Sequence, residues 1–185
     1  MNLRDLDVEE INDSGIYSDT SEIVTAGIKW WLRNCAENHD ECHSSREPPN
    51  WQPTRILDLG DPAEPLSPRL LRGDQVPEGV EYVTLSHCWG TSQPLKLQSS
   101  NIHQLSTSIP TSSLPKTFLD ATVIARNLSQ RYLWIDSLCI IQDSQSDWAQ
   151  ESSRMGSIYG NAIFNIAATA LSHCQGGCYC LGDLS

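Results

Sequence analysis

The sequence predicts an α/β fold, a parallel sheet with helices on its faces, preceded by a helical and strand/turn extension. Three observations predict it. Three short runs, Glu81–Ser86, Tyr132–Asp136 and Ala162–Ala168, have the length and the apolar, β-branched composition of buried strands. The stretches between them carry apolar residues at helical spacing, and such alternation joins parallel strands through crossovers. The 185 residues suit one such domain with an extension, and 39% hydrophobic residues can fill its core.

Taken in order, residues 1–22 are acidic and polar, with few apolar anchors, and predict a mobile arm without function. From Ile23 to Cys42 the residues Ile23, Ile28, Trp31 and Leu32 recur at roughly helical spacing, which predicts an amphipathic helix with Trp30 and Trp31 on its buried side. Trp51–Gly79 holds five prolines, the short apolar run Arg55–Leu59 and the turn signals Gly60-Asp61-Pro62 and Arg72-Gly73-Asp74. That composition predicts short strands and turns packed as a lid or flank, so that residues 23–80 form one extension.

Glu81–Ser86 then reads as a strand running into the turn His87-Cys88-Trp89-Gly90, and residues 91–113 as a surface connection with a short helix near Asn101–Leu105. Pro115 and the box Thr117-x-x-Asp120 mark a helix start, followed by Phe118, Ala121, Ala125 and Leu128 on one face. Tyr132–Asp136 is a central strand ending in a carboxylate. A second helix starts near Ser146 or Asp147, with Trp148, Ser152, Met155 and Tyr159 on its inner face, and Ala162–Ala168 is the third strand. The core is thus expected over residues 81–171, with a Cys/Gly-rich tail over 172–185. Ligand crevices in parallel sheets lie beyond the carboxyl ends of the strands, which puts Ser86–Gly90 and Asp136–Asp143 on one rim.

Charge and cysteine usage narrow the function. Against 23 acids stand 12 bases, a formal net charge of −11; the first 50 residues hold 11 of the acids and 4 of the bases. Without a basic patch such a chain repels phosphate backbones and anionic bilayers, so neither nucleic acid nor membrane is expected as a partner. Seven cysteines are an odd number without framework spacing, and the acidic start is no secretory signal, which predicts a reduced, cytoplasmic setting.

Four blocks carry a resemblance. They are Tyr82-Val-Thr-Leu-Ser-His-Cys-Trp-Gly90, Leu114-Pro-Lys-Thr-Phe-Leu-Asp-Ala121, Arg131-Tyr-Leu-Trp-Ile-Asp-Ser-Leu-Cys-Ile-Ile-Gln-Asp143 and Asp147-Trp-Ala-Gln-Glu-Ser-Ser-Arg-Met-Gly-Ser-Ile-Tyr-Gly-Asn-Ala162. In this order they resemble the fungal heterokaryon-incompatibility (HET) domain. Upstream, Trp31…Cys35…His39…Cys42 and Trp51-Gln-Pro-Thr-Arg55 look like the segment that commonly precedes it. The resemblance implies a cytoplasmic allorecognition module that triggers programmed cell death when unlike fungal cells fuse, through self-association or protein partners. It also implies a distant relation to TIR domains, with their three-layer flavodoxin-like core. Some TIR domains cleave NAD at the nicotinamide–ribose bond with a glutamate, so an NAD glycohydrolase using Glu151 is the alternative, with NAD as substrate and no resident cofactor. A third reading is an inactive truncated copy, since the tail from His173 stands where the family commonly continues into a Gly-Leu-Phe-like segment.

Each candidate residue has a structural reading beside the functional one. Ser86, His87 and Cys88 suggest a nucleophile next to a base, but neighbours on a strand point to opposite faces, so Ser86 as a turn cap and Cys88 as core are simpler. Trp89 packs and Gly90 supplies backbone freedom. Asp136, with Cys139, Gln142 and Asp143, either touches a ligand or anchors its loop by accepting backbone N–H groups. Glu151 lies about 60° from Trp148 on a helical wheel, at the edge of the apolar stripe, where a cleft would raise its pKa and Trp148 would stack a ring. Its structural alternative is an ion pair with Arg154. Cys35, His39 and Cys42 fall within about 60° of one another on a helix, a weak metal candidate against two buried cysteines and a polar histidine.

Overall fold

A computed structural model describes residues 16–39, 51–89, 95–168 and 177–178. The chain divides into two compact units, Met1–Asp40 and Glu41–Ser185. The first contains the helix α1, Ile16–Asn38, which starts before the expected Ile23. Its tandem tryptophans are not on a buried side: Trp30 is 63% and Trp31 56% exposed, and none of residues 25–39 is buried. Neighbours on a helix are about 100° apart, so one narrow stripe cannot cover both rings.

The second unit is an α/β sheet domain. Its elements are β1 (Arg55–Asp58), β2 (Arg69–Arg72), β3 (Tyr82–His87), α2 (Ile102–Thr107), α3 (Lys116–Asn127), β4 (Tyr132–Ile135), α4 (Asp136–Cys139), α5 (Gln145–Asn161) and β5 (Asn165–Ala168). The strands form one sheet in the order β2-β1-β4-β3-β5. Val83 pairs with Leu133 and Leu85 with both Ile135 and Ile166, all in parallel register.

The sheet is mixed, which corrects the expectation of an all-parallel one. The β1–β2 hairpin pairs antiparallel with β4, placing Leu57 opposite Leu133. Far from lying over the sheet as a lid, the Pro-rich flank extends it. Every residue of β1 is buried, and the hairpin covers an edge of β4 that would otherwise expose unpaired backbone groups. Asp58 ties the join: its buried carboxylate accepts from Arg131 at 2.6 and 2.9 Å, Arg69 at 3.2 Å and the Gly60 N–H at 3.1 Å. Burial pushes this carboxyl up, but the Arg131 bond, the Gly60 N–H and Arg69 outweigh it and hold the pKa below the ordinary value.

Helix α3 buries Phe118, Ala121 and Ala125 as its spacing predicts. Its capping box does not form. Pro115 is the N-cap, and Thr117 Oγ1 instead accepts the Gly177 N–H at 3.1 Å. Helix α5 starts at Gln145 with Ser144 Oγ accepting from the Asp147 N–H. Its inner face is rotated from the expected stripe: Glu151 and Ile158 are buried, while Trp148 is 55% exposed. Among the described residues no helix is long and apolar enough to cross a membrane.

Candidate functional site

The carboxyl ends of β3 and β4 build the rim. Ser86 and His87 close β3, and Asp136 opens α4 directly after β4. Ser86 Oγ donates to Asn165 Oδ1 at 3.1 Å, and Thr84 Oγ1 donates to the same oxygen at 3.1 Å. His87 faces the other way, as alternation along a strand requires, so the two do not form a nucleophile–base pair.

The His87 side chain is 2% exposed. Phe118 meets its ring edge-on at a centroid distance of 4.8 Å, and Trp89 lies nearly parallel at 6.1 Å. Among the described residues neither ring nitrogen makes a hydrogen bond, and Asp136 Oδ1 lies 3.7 Å from Nδ1. Burial pushes the imidazole below its ordinary pKa, and Asp136 acts against that shift. Between the folded value and about 6.5 the unfolded chain therefore binds more protons, and stability falls as pH drops through that window. Denaturant titrations at pH 7.5 and 5.0 should show a smaller loss for His87→Phe than for the wild type. Equal losses would mean that His87 charges without penalty.

Asp136 anchors its surroundings, as the structural reading expects. Oδ2 accepts from Trp89 Nε1 at 3.0 Å and Oδ1 from the Ser137 N–H at 2.7 Å. Gln142 Nε2 donates to the Asp136 and Ile140 carbonyls at 3.1 and 2.9 Å. Asp143 Oδ1 accepts from the N–H and Oγ of Ser99 at 2.8 and 3.2 Å, and the Ser99 N–H bond holds its carboxyl below the ordinary pKa. Cys139 is fully buried, and desolvation pushes its thiol up to about 12, which leaves it un-ionised and inert. Gly90 lies outside the described residues.

Glu151 is set into the domain. Its side chain is 0% exposed, and among the described residues neither carboxylate oxygen has a hydrogen-bond partner. Arg154 Nη1 is 3.9 Å from Oε1, too far for a hydrogen bond. The guanidinium is spent elsewhere: on Thr54 Oγ1, on the Gln52 carbonyl at 3.2 Å and over the Trp51 ring at 5.4 Å. Trp148, expected to stack a ring beside Glu151, points to solvent. Among the described residues no three His, Cys, Asp or Glu side chains gather as a metal site. Cys35 and His39 lie at the end of α1, where the His39 N–H donates to the Cys35 carbonyl; Cys42 lies outside the described residues.

Four site residues escaped the sequence reading of the rim. Asn165 gathers two hydroxyls. Tyr159 approaches Ser86 from α5; burial raises its hydroxyl pKa, and a hydrogen bond with Ser86 opposes the rise. Buried Arg55 and half-buried Asp147 form an ion pair at 2.5 Å. Asp147 opens the fourth sequence block, but only the fold brings Arg55 across to it. A cleft of about 490 Å³, lined by Gln52–Arg55, Arg72–Asp74 and Ile102, opens on this flank.

The fold and the rim define an α/β domain whose strand ends are laced to the following loops by Asp136, Gln142 and Asp143. A family model described as heterokaryon incompatibility protein (HET) matches residues 82–184, and the chain belongs to that family. The match covers β3 to β5 and runs on through the cysteine-rich tail. No curated protein matches the chain, and no solved structure matches it.

Proposed function

We propose that the chain is an effector module of heterokaryon incompatibility, acting in the cytoplasm and triggering regulated cell death on non-self recognition through self-association or a protein partner. The family match over residues 82–184 carries this reading. The geometry supports contact over open-cleft chemistry at the rim: Asp136, Gln142 and Asp143 spend their polar atoms on the domain itself, while Trp148 faces outward. Parallel pairing of β3 with β4 and β5 supports the TIR-like, flavodoxin-like likeness of this part.

Induced expression in a filamentous fungus, with dye uptake scored, tests the proposal. The wild-type chain is expected to kill when fused to an inducible dimeriser, and Trp148→Ala to kill less at equal abundance. Survival with the dimerised wild type would overturn it. The alternative, NAD cleavage, rests on Glu151, whose carboxylate is fully buried and would have to be uncovered to meet a substrate. Nicotinamide release by the purified chain that is lost in Glu151→Ala would establish that reading in its place.

A further inference from the structure

The residues leading into β1 run along α5, and two guanidiniums fasten them there. Arg55 bonds Asp147 Oδ2 at 2.5 Å and the Cys139 carbonyl at 2.6 Å. Arg154 holds Thr54 Oγ1, the Gln52 carbonyl and the face of Trp51. Asp147, Glu151 and Arg154 fall on successive turns of α5, so Glu151 lies between the two fastenings. A buried carboxylate without donors destabilises the closed arrangement and gains hydration when uncovered.

The segment that Arg154 fastens is lightly built. Trp51–Thr54 belongs to no strand, and Pro53 has no N–H to donate. Besides Arg154, its bonds among the described residues include the Gly73 N–H to the Thr54 carbonyl and Gln52 Nε2 to the Gly73 carbonyl, both at 2.7 Å. Gly73 is a necessary glycine here, because a Cβ would run into the Pro53 carbonyl oxygen. The segment also lines the flank cleft, which leaves it room to move.

We propose that Trp51–Thr54 is a strap closed over Glu151, with Arg154 as its latch, and that it opens without unfolding the sheet. The proposal concerns access to Glu151 and holds whether or not that carboxylate does chemistry. In the full chain, carbodiimide with a small amine labels accessible carboxylates, and peptide mass spectrometry compares Glu151 with the exposed Asp74. Arg154→Ala, which removes the latch, is expected to speed Glu151 labelling about tenfold with Asp74 unchanged. Gly73→Ala, which wedges the strap, should act in the same direction. Unchanged Glu151 labelling in variants that keep β4 amide protection overturns the proposal. The wild type supplies a measurement that needs no variant: the Gly73 amide should exchange by an opening well below global unfolding, faster than the β4 amides at least tenfold. Exchange of Gly73 together with β4 would make the segment an ordinary part of the core and overturn the strap.

Discussion

Arg55→Ala is expected to cost about 3 kcal/mol or more of the domain's stability, within the range found when one partner of a buried ion pair is removed. The side chains of Arg55 and Asp147 are only 8% and 17% exposed, so water does little to screen the pair. Arg55 joins three elements: it stands on β1, Nε takes the last carbonyl of α4, and Nη2 takes Asp147 in the first turn of α5. Truncation leaves the Cys139 carbonyl bare and Asp147 with the Ile141 N–H at 2.8 Å as its remaining strong donor. Lysine keeps the charge but lacks the planar fork that serves two acceptors, so Arg55→Lys should recover less than half of the loss. Urea unfolding measures this: with a slope of about 2 kcal/mol/M, the Arg55→Ala midpoint falls by roughly 1.5 M. A loss under about 1 kcal/mol would show the pair behaving as a surface ion pair.

Trp134→Ala is expected to cost about 3–5 kcal/mol, and Trp134→Phe far less. Trp134 sits in β4 with 0% exposure, packed edge-to-face on Tyr159 at 5.7 Å, and truncation to alanine leaves a cavity between the sheet and α5. The indole has a liability, however, since its Nε1–H is buried without an acceptor. A buried donor without a partner costs about 1–3 kcal/mol, and phenylalanine removes that cost while keeping most of the ring volume. The two terms nearly offset, so the phenylalanine variant should lie within about 1 kcal/mol of the wild type. Thermal melts of both variants against the wild type separate the contributions. A phenylalanine variant as unstable as the alanine one would mean that indole shape alone sets the energy.

Which parts were legible in the sequence follows from how local their determinants are. The strands β3 and β4 show as short apolar runs because both faces are covered, which removes the polar alternation of an exposed strand, whereas β5 alternates between exposed and buried positions. The rim followed, since the carboxyl ends of parallel strands lie along one end of the sheet. The hairpin was harder. Arg55–Leu59 looked like a strand, but pairing with β4 joins residues more than 70 positions apart, and no local pattern records it. The α5 stripe was drawn through Trp148 because a large aromatic weighs heavily in an apolar pattern. The fold turned that stripe by about one residue and placed Glu151 inside. Asn165 and Tyr159 reach Ser86 only because β5 and α5 come to lie beside β3.

By itself, the sequence determined the α/β class, the order of the core strands and helices, the family, and the rim positions of Ser86, His87, Asp136 and Asp143. All of these rest on patterns within a few residues, where backbone geometry sets the period. Tertiary structure alone decided that the sheet is mixed, that Arg55 pairs with Asp147, that Trp148 faces solvent, that Glu151 is buried and that Arg154 reaches Thr54. Each depends on which distant surfaces meet, and burial and ion pairing are properties of that meeting.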